Sequence, residues 1–61
     1  MEKIRESFLK AYSNLPEKVR EEIIVVVNNT PFTWSSAYFE IKNNTSIGKE
    51  ILNTLKELEI L

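Results

Sequence analysis

The architecture of this chain depends on residues 23–34, which read Ile23-Ile24-Val25-Val26-Val27, Asn28-Asn29-Thr30-Pro31 and Phe32-Thr33-Trp34. Five consecutive β-branched residues favour an extended strand, and the Asn-rich segment after them is typical of a turn. By propensity this region is a β-hairpin. A helix also fits, because the apolar side chains of residues 15–27 fall within an arc of about 180° that leaves only Val25 outside.

The choice between the two depends on which surface each would expose. A lone two-stranded ribbon with an unbroken apolar run shows one face to water unless both faces are covered, and this chain has few residues left to cover them. We therefore predict a helix over residues 16–28, with Asn28 or Asn29 in the left-handed position after its last turn. Pro31 then prevents the helix from continuing.

Helical patterns flank this region on both sides. Residues 2–13 have the cleanest helical period, because Ile4, Phe8, Ala11 and Tyr12 share one side of the projection. Thr33 is of the right type to cap the next helix, and Asn43-Asn44-Thr45 ends that helix and begins the last one.

The predicted fold is therefore mainly α, a small bundle of four short helices. The helices span about 2–13, 16–28, 34–43 and 46–58. The alternative is an α+β fold in which a short β-hairpin at 23–34 packs on the remaining helices. In both cases residues 1–61 form a single domain, because a chain of 61 residues has no room for two.

Composition narrows the possible functions. The chain has no Cys, His, Asp or Gln, nine Glu, six Lys, two Arg and a formal net charge of −1. Without His or Cys there is no catalytic triad, no thiolate nucleophile, no imidazole base and no zinc site of the usual type. Glu17, Glu21 and Glu22 are expected to form a solvated helix face. We expect a non-enzymatic protein without a cofactor or a metal.

The small size of the chain points to self-association. Domains of this length usually need a disulfide, a metal or a partner subunit to supplement a small core. The absence of Cys and His excludes a disulfide and most kinds of metal site, which leaves a partner subunit. The N-terminus has no secretory pattern, and the longest apolar run has five residues against the roughly 20 of a membrane-spanning helix. We therefore expect a soluble cytoplasmic protein that does not bind a membrane. Its expected partner is another protein or a second copy of itself.

Four residues stand out as candidates for contact. Val25 and Phe39 lie off the apolar stripes of their predicted helices, and Ile60 belongs to an apolar C-terminal tail, so these three are the candidate interface. Gly48 is the only glycine and lies inside the last predicted helix. Glycine costs about 1 kcal/mol relative to alanine there, which indicates close approach of another helix, a dimer partner or a ligand.

Residues 33–58 suggest a second function. The pattern of helix, short Asn-Asn-Thr turn and helix resembles the core of helix-turn-helix and winged-helix proteins, which implies binding of nucleic acid. Charge disfavours this alternative, because the outward positions of the would-be reading helix carry as many Glu as Lys. Nucleic-acid affinity depends mainly on Lys and Arg that neutralise phosphates.

A further resemblance covers residues 32–52. It is carried by Phe32-Thr33-Trp34, Ala37-Tyr38, Glu40-Ile41-Lys42-Asn43-Asn44-Thr45 and Gly48-Lys49-Glu50-Ile51-Leu52. This pattern resembles one found in small uncharacterised archaeal proteins. The resemblance implies a compact stand-alone domain from a thermophile, and it supplies no catalytic or binding residue. Enrichment in Glu, Lys and Ile, with no Cys or Gln, points the same way.

Overall fold

The computed structural model describes residues 2–58, which form an α+β fold. In chain order these are helix α1 (Glu2–Ser13), a single 3-10 turn (Val19–Glu21), strands β1 (Ile23–Val27) and β2 (Thr30–Thr33), and helices α2 (Trp34–Lys42) and α3 (Ser46–Glu57). The two strands pair as an antiparallel hairpin. The predicted four-helix bundle is therefore wrong, and the alternative with a hairpin packed on helices is confirmed.

Three of the four predicted helices are present at nearly the predicted bounds, because their caps are encoded locally. At the start of α2, the Ser36 N–H donates to Thr33 Oγ1 at 3.0 Å and the Thr33 N–H donates to Ser36 Oγ at 2.8 Å, which is a reciprocal capping box. At the start of α3, the Gly48 N–H donates to Thr45 Oγ1 at 2.9 Å. Each cap satisfies a backbone donor that a helix end leaves open.

The predicted helix over residues 16–28 is wrong because its second half is a strand. Asn28 and Asn29 have φ angles of 51° and 63°, so both lie in the left-handed region, as the central residues of a type I′ turn must. Asn tolerates this conformation better than most residues. The turn joins two strands instead of following a helix, and it puts Val27 opposite Thr30 and Val26 opposite Pro31.

Pro31 is compatible with the hairpin because of its register. In a two-residue hairpin the pair that flanks the turn exchanges the ladder hydrogen bonds, and the next pair has its N–H and C=O groups pointing away from the partner strand. The pair that flanks the turn is Val27 and Thr30, so the nitrogen of residue 31 faces outward. A proline there costs no ladder bond.

A β-bulge breaks the alternation of β1. The register shifts between Ile23 and Val25, so Ile23 lies opposite Thr33 while Val25 lies opposite Phe32. Ile24 is the extra residue, and it packs against the core. Because the bulge shifts the alternation by one residue, Ile23 points to the side opposite Val25.

The core lies between the inner side of the hairpin and the three helices. Val25 and Val27 contribute from β1, and α3 provides the largest share. These apolar side chains are removed from water together, which is the main stabilising contribution in a domain of this size. The buried core residues are Phe8, Val25, Val27, Ala37, Ile41, Ile51, Leu52 and Leu55.

Arg20 attaches the segment between α1 and β1 to the helices. Its Nε and Nη2 atoms donate to the Tyr12 carbonyl oxygen at 3.3 and 3.1 Å, and its guanidinium carbon lies 4.3 Å from the centre of the Tyr12 ring. The Tyr12 ring in turn stacks on Tyr38 of α2, with 4.1 Å between ring centres. These contacts hold the chain in local turns before β1, where a second helix was expected.

Candidate interaction surface

The outward side of the hairpin carries the exposed apolar surface that best fits a contact site. Ile23 is 62% exposed and Val26 is 60% exposed, although both are large aliphatic residues. Pro31 is exposed directly across from Val26, and Thr33 lies across from Ile23. We call the surface formed by Ile23, Val26 and Pro31 the outer face.

Strand geometry produces this face directly. Neighbouring residues of a strand point to opposite sides, so Val26 is directed away from the core because Val25 and Val27 are directed into it. The bulge then adds Ile23 to the same outward side. An all-apolar strand on a two-stranded ribbon therefore leaves apolar side chains in water, which is the cost that favours a helix when the sequence is read alone.

The expected exposure of Val25 is wrong. Val25 is 5% exposed and belongs to the core, because it points to the helix side of the hairpin. Val25 lies off the apolar stripe only if residues 16–28 form a helix. In the strand the exposed residues are Ile23 and Val26, which the helical projection puts in the core. Counting outward from the turn, with Val27 and Thr30 as the flanking pair, separates Val26 from Val25 and Val27, and packing against the helices then decides which side is exposed.

Phe39 is exposed, as its place off the α2 stripe predicts. Its side chain is 62% exposed, and the core residues of α2, Ala37 and Ile41, lie on another side of the helix. Leu58, just after α3, is 58% exposed. Phe39 therefore stays a predicted interface residue, separate from the outer face. Ile60, the third predicted interface residue, lies outside the described residues.

Gly48 lies against the backbone of another helix. A Cβ atom at this position would be 2.5 Å from the Glu40 carbonyl oxygen and 3.0 Å from the Ile41 Cα atom. Both atoms belong to the end of α2, where the chain turns into α3. The absence of a side chain thus permits the close approach of α3 to α2, and Gly48 is buried within the fold and is not part of the outer face.

A polar depression near the 3-10 turn is the second candidate site. It has a volume of about 360 Å³ and combines carboxylates with cations, being lined by Tyr12, Glu17, Lys18, Arg20, Glu21 and Ser35. The guanidinium of Arg20 is already bonded to Tyr12. Glu17 and Glu21 do not share a helix face as expected, because the helix is absent. Mixed charge favours no single class of ligand here.

Among residues 3–58, whose side chains the structure describes, no three acidic side chains lie close enough together to hold a metal ion. None of the helices in this range has the length and apolar character to cross a bilayer.

Helix α3 presents a charge-balanced surface. Its exposed positions are Ser46, Lys49, Glu50, Asn53, Lys56 and Glu57, with two Lys and two Glu. Glu50 also accepts a hydrogen bond from the Asn28 side chain at 2.9 Å, so it is attached to the hairpin turn. Phosphate binding requires an excess of Lys and Arg, which this face lacks. The nucleic-acid alternative stays a prediction.

Comparison with known proteins identifies no relative. No protein-family model matches the chain, and no curated protein and no solved structure is significantly similar to it. The resemblance of residues 32–52 to small archaeal proteins, and the thermophilic origin that it implies, stay predictions.

Proposed function

We propose that this protein acts by protein–protein contact, and that it associates with a second copy of itself through the outer face. The observation that carries the proposal is the exposure of two large aliphatic side chains, Ile23 and Val26, on β1, a strand without charged residues. Complete burial of such a side chain is worth about 1.5–3 kcal/mol, so a partner that covers both gains a substantial contribution.

Composition and size support the same proposal. The described part of the chain has eight buried hydrophobic residues, and the sequence has no Cys or His to supply a disulfide or a zinc site. A partner subunit is another way in which small domains supplement their core. A non-enzymatic role without a cofactor, and a location in the cytoplasm, are parts of this proposal that derive from the sequence.

Sedimentation equilibrium between about 10 μM and 1 mM, the range that corresponds to weak association, tests the proposal. We expect the average mass to rise from 7.1 kDa towards twice that value as concentration increases. The double variant Ile23→Thr with Val26→Thr should remain monomeric, because threonine retains the β-branched shape and strand preference while it removes apolar surface.

One matched variant acts as a control, because Leu58→Thr changes an exposed apolar residue outside the hairpin and should leave association unchanged. Phe39→Ser tests the other predicted interface residue, and a loss of association in this variant would add Phe39 to the contact. A wild-type protein that stays at 7.1 kDa up to 1 mM would overturn self-association. A double variant that associates as strongly as wild type would exclude the outer face as the contact.

A further inference from the structure

The two edges of the hairpin differ in the backbone groups they offer to a new strand. On β2, the outward-facing positions are 31 and 33, alternating with the ladder positions 30 and 32. Pro31 has no N–H group, and the Thr33 N–H already donates to Ser36 Oγ at 2.8 Å. Within the described residues, this edge therefore has no donor left for another strand.

The edge of β1 is open at its centre. The backbone N–H and C=O groups of Val25 and Val27 point towards β2. By the same alternation, the N–H and C=O groups of Val26 point away from β2, to the open edge of the sheet. Among residues 2–58, no backbone group outside the strand pairs with Val26, and the sheet has two strands. Exposed edges usually carry a charge or a proline that prevents pairing, and β1 has neither.

We infer that β1 pairs antiparallel with β1 of a second copy, about a two-fold axis that passes beside Val26. This inference rests on the proposed function and specifies how the two copies meet. Val26 of each copy donates its N–H to the Val26 carbonyl oxygen of the other, and Val25 of each copy lies opposite Val27 of the other. The two hairpins become one four-stranded sheet with the outer faces side by side.

The occupant is a second copy because β1 is complementary to itself. It carries no charge from Ile23 to Val27, so two copies meet without like charges opposite each other. Because the edge of β2 has no free N–H group, it is a poor template for a further strand, and association through β1 alone gives a closed, symmetric dimer. The bulge at Ile24 restricts regular pairing to the turn-proximal half of β1.

The area available predicts weak association. A standard interface buries about 800 Å² on each partner, roughly one fifth of the 4336 Å² surface of this chain. Regular pairing of a few residues, with contact between the two Val26 side chains, covers less than this. We therefore expect dimers mainly above about 0.1 mM, at the weak end of specific contacts.

The first test separates the backbone of Val26 from its side chain. Val26→Pro removes the outward N–H but no ladder bond, as Pro31 already does on β2, while the matched variant Val26→Thr retains the N–H. In sedimentation equilibrium we expect Val26→Pro to lower the association constant at least tenfold below that of Val26→Thr. Equal association constants for the two variants would overturn edge pairing and leave contact through the outer face in place.

A second test uses the wild-type protein and so does not depend on how Val26→Pro folds. In a sample that mixes isotope-labelled and unlabelled chains, we expect an intermolecular nuclear Overhauser effect between Hα of Val25 and Hα of Val27. Such a contact is too distant within one strand, because residues two apart are separated by more than about 6 Å. If sedimentation shows a dimer but this signal is absent, edge pairing is wrong, while the proposed self-association still holds.

Two further outcomes identify other states. A wild-type protein that is monomeric at every concentration overturns both the edge pairing and the proposed self-association. A monomer whose Val26 amide is protected from exchange only by a synthetic peptide of residues 22–28 would show that the edge accepts a free strand. In that case the second-copy inference is wrong.

Discussion

The tripeptide Asn-Asn-Thr occurs twice in this chain and forms two different structures. In residues 28–30 it connects two strands, and both asparagines have left-handed φ angles of 51° and 63°. In residues 43–45 it connects two helices, and only Asn44 is left-handed, with a φ of 55°, while Asn43 has a φ of −89°. Asparagine permits the left-handed backbone, and the flanking residues determine which chain reversal results.

The second triplet is built as a helix end followed directly by a helix start. The Thr45 N–H donates to the Glu40 carbonyl oxygen at 3.2 Å and the Asn44 N–H donates to the Ile41 carbonyl oxygen at 3.1 Å, which is the Schellman pattern. Thr45 Oγ1 then accepts from the Gly48 N–H as the cap of α3. In the first triplet, Thr30 is an exposed residue of β2 opposite Val27.

The largest effect is expected at Gly48, because the second triplet turns the chain so tightly that α3 contacts the backbone of α2. A Cβ at residue 48 would overlap the Glu40 carbonyl oxygen. Overpacking of this kind costs about 1–3 kcal/mol, and contact with backbone puts it at the upper end, partly offset by the better helix propensity of alanine. We expect Gly48→Ala to lower the free energy of unfolding by about 2 kcal/mol.

Urea unfolding followed by the fluorescence of Trp34, the only tryptophan, measures this change. A protein concentration of about 5 μM keeps self-association out of the result. Asn53→Ala, at an exposed position of α3, is the matched control and should be close to neutral. A neutral or stabilising Gly48→Ala would contradict the close approach of α3 to α2.

The two threonines of the triplets should differ by a smaller amount. Thr45→Ala removes the cap of α3 and the bonds of Thr45 Oγ1 to Glu40, so we expect a loss of about 1–2 kcal/mol in the free energy of unfolding. Thr30→Ala changes an exposed strand residue and should cost about 0.5 kcal/mol or less. The same unfolding measurement compares them, and equal losses would show that the triplets do not differ in capping.

The smallest effects concern the asparagines, and here the order of variants matters more than their size. At Asn44 we expect glycine to be tolerated and alanine to cost about 1 kcal/mol, because φ is left-handed. At Asn43 the order should reverse, with glycine worse than alanine by about 0.5–1 kcal/mol. Asn28 and Asn29 should both follow the order of Asn44. Thermal unfolding by circular dichroism provides the ranking, and the same order at Asn43 and Asn44 would contradict it.

The helices were predictable because their signals are local. Thr33 and Thr45 cap the helices that they precede, and the apolar period of residues 2–13 is one that only a helix can bury on a single side. The capping hydrogen bonds involve residues three apart, so no distant contact is needed to recognise them. For this reason the bounds of α1, α2 and α3 agree with the sequence to within a residue.

The strand β1 was not predictable in the same way, because five consecutive apolar residues have no period. A helix and a strand both bury part of Ile23–Val27, and the pattern does not distinguish them. The helix was preferred on the assumption that a ribbon with an exposed apolar face is unfavourable. The structure has that exposed face, with Ile23 and Val26 directed to solvent, so the assumption failed for this chain.

The candidate surface was lost with the same error. Val25 lies outside the apolar arc of a helix but on the buried side of the strand. Ile23 and Val26 lie inside that arc, which predicts them in the core, but both are exposed. The regular pairing next to the turn puts Val26 on the side opposite Val25 and Val27, and the helices that pack on the hairpin decide which of the two sides is buried. Phe39 kept its predicted exposure because α2 was predicted correctly.

Local chemistry along the chain was thus sufficient for three helices, their caps and the reversal at Asn43-Asn44-Thr45. Packing against α3 was needed to make residues 23–27 a strand and to bury Val25 instead of Val26. The physical reason is that the hydrogen bonds of caps and turns are made by residues close in sequence. In an all-apolar segment, the buried and exposed sides are distinguished only when the helices cover one of them.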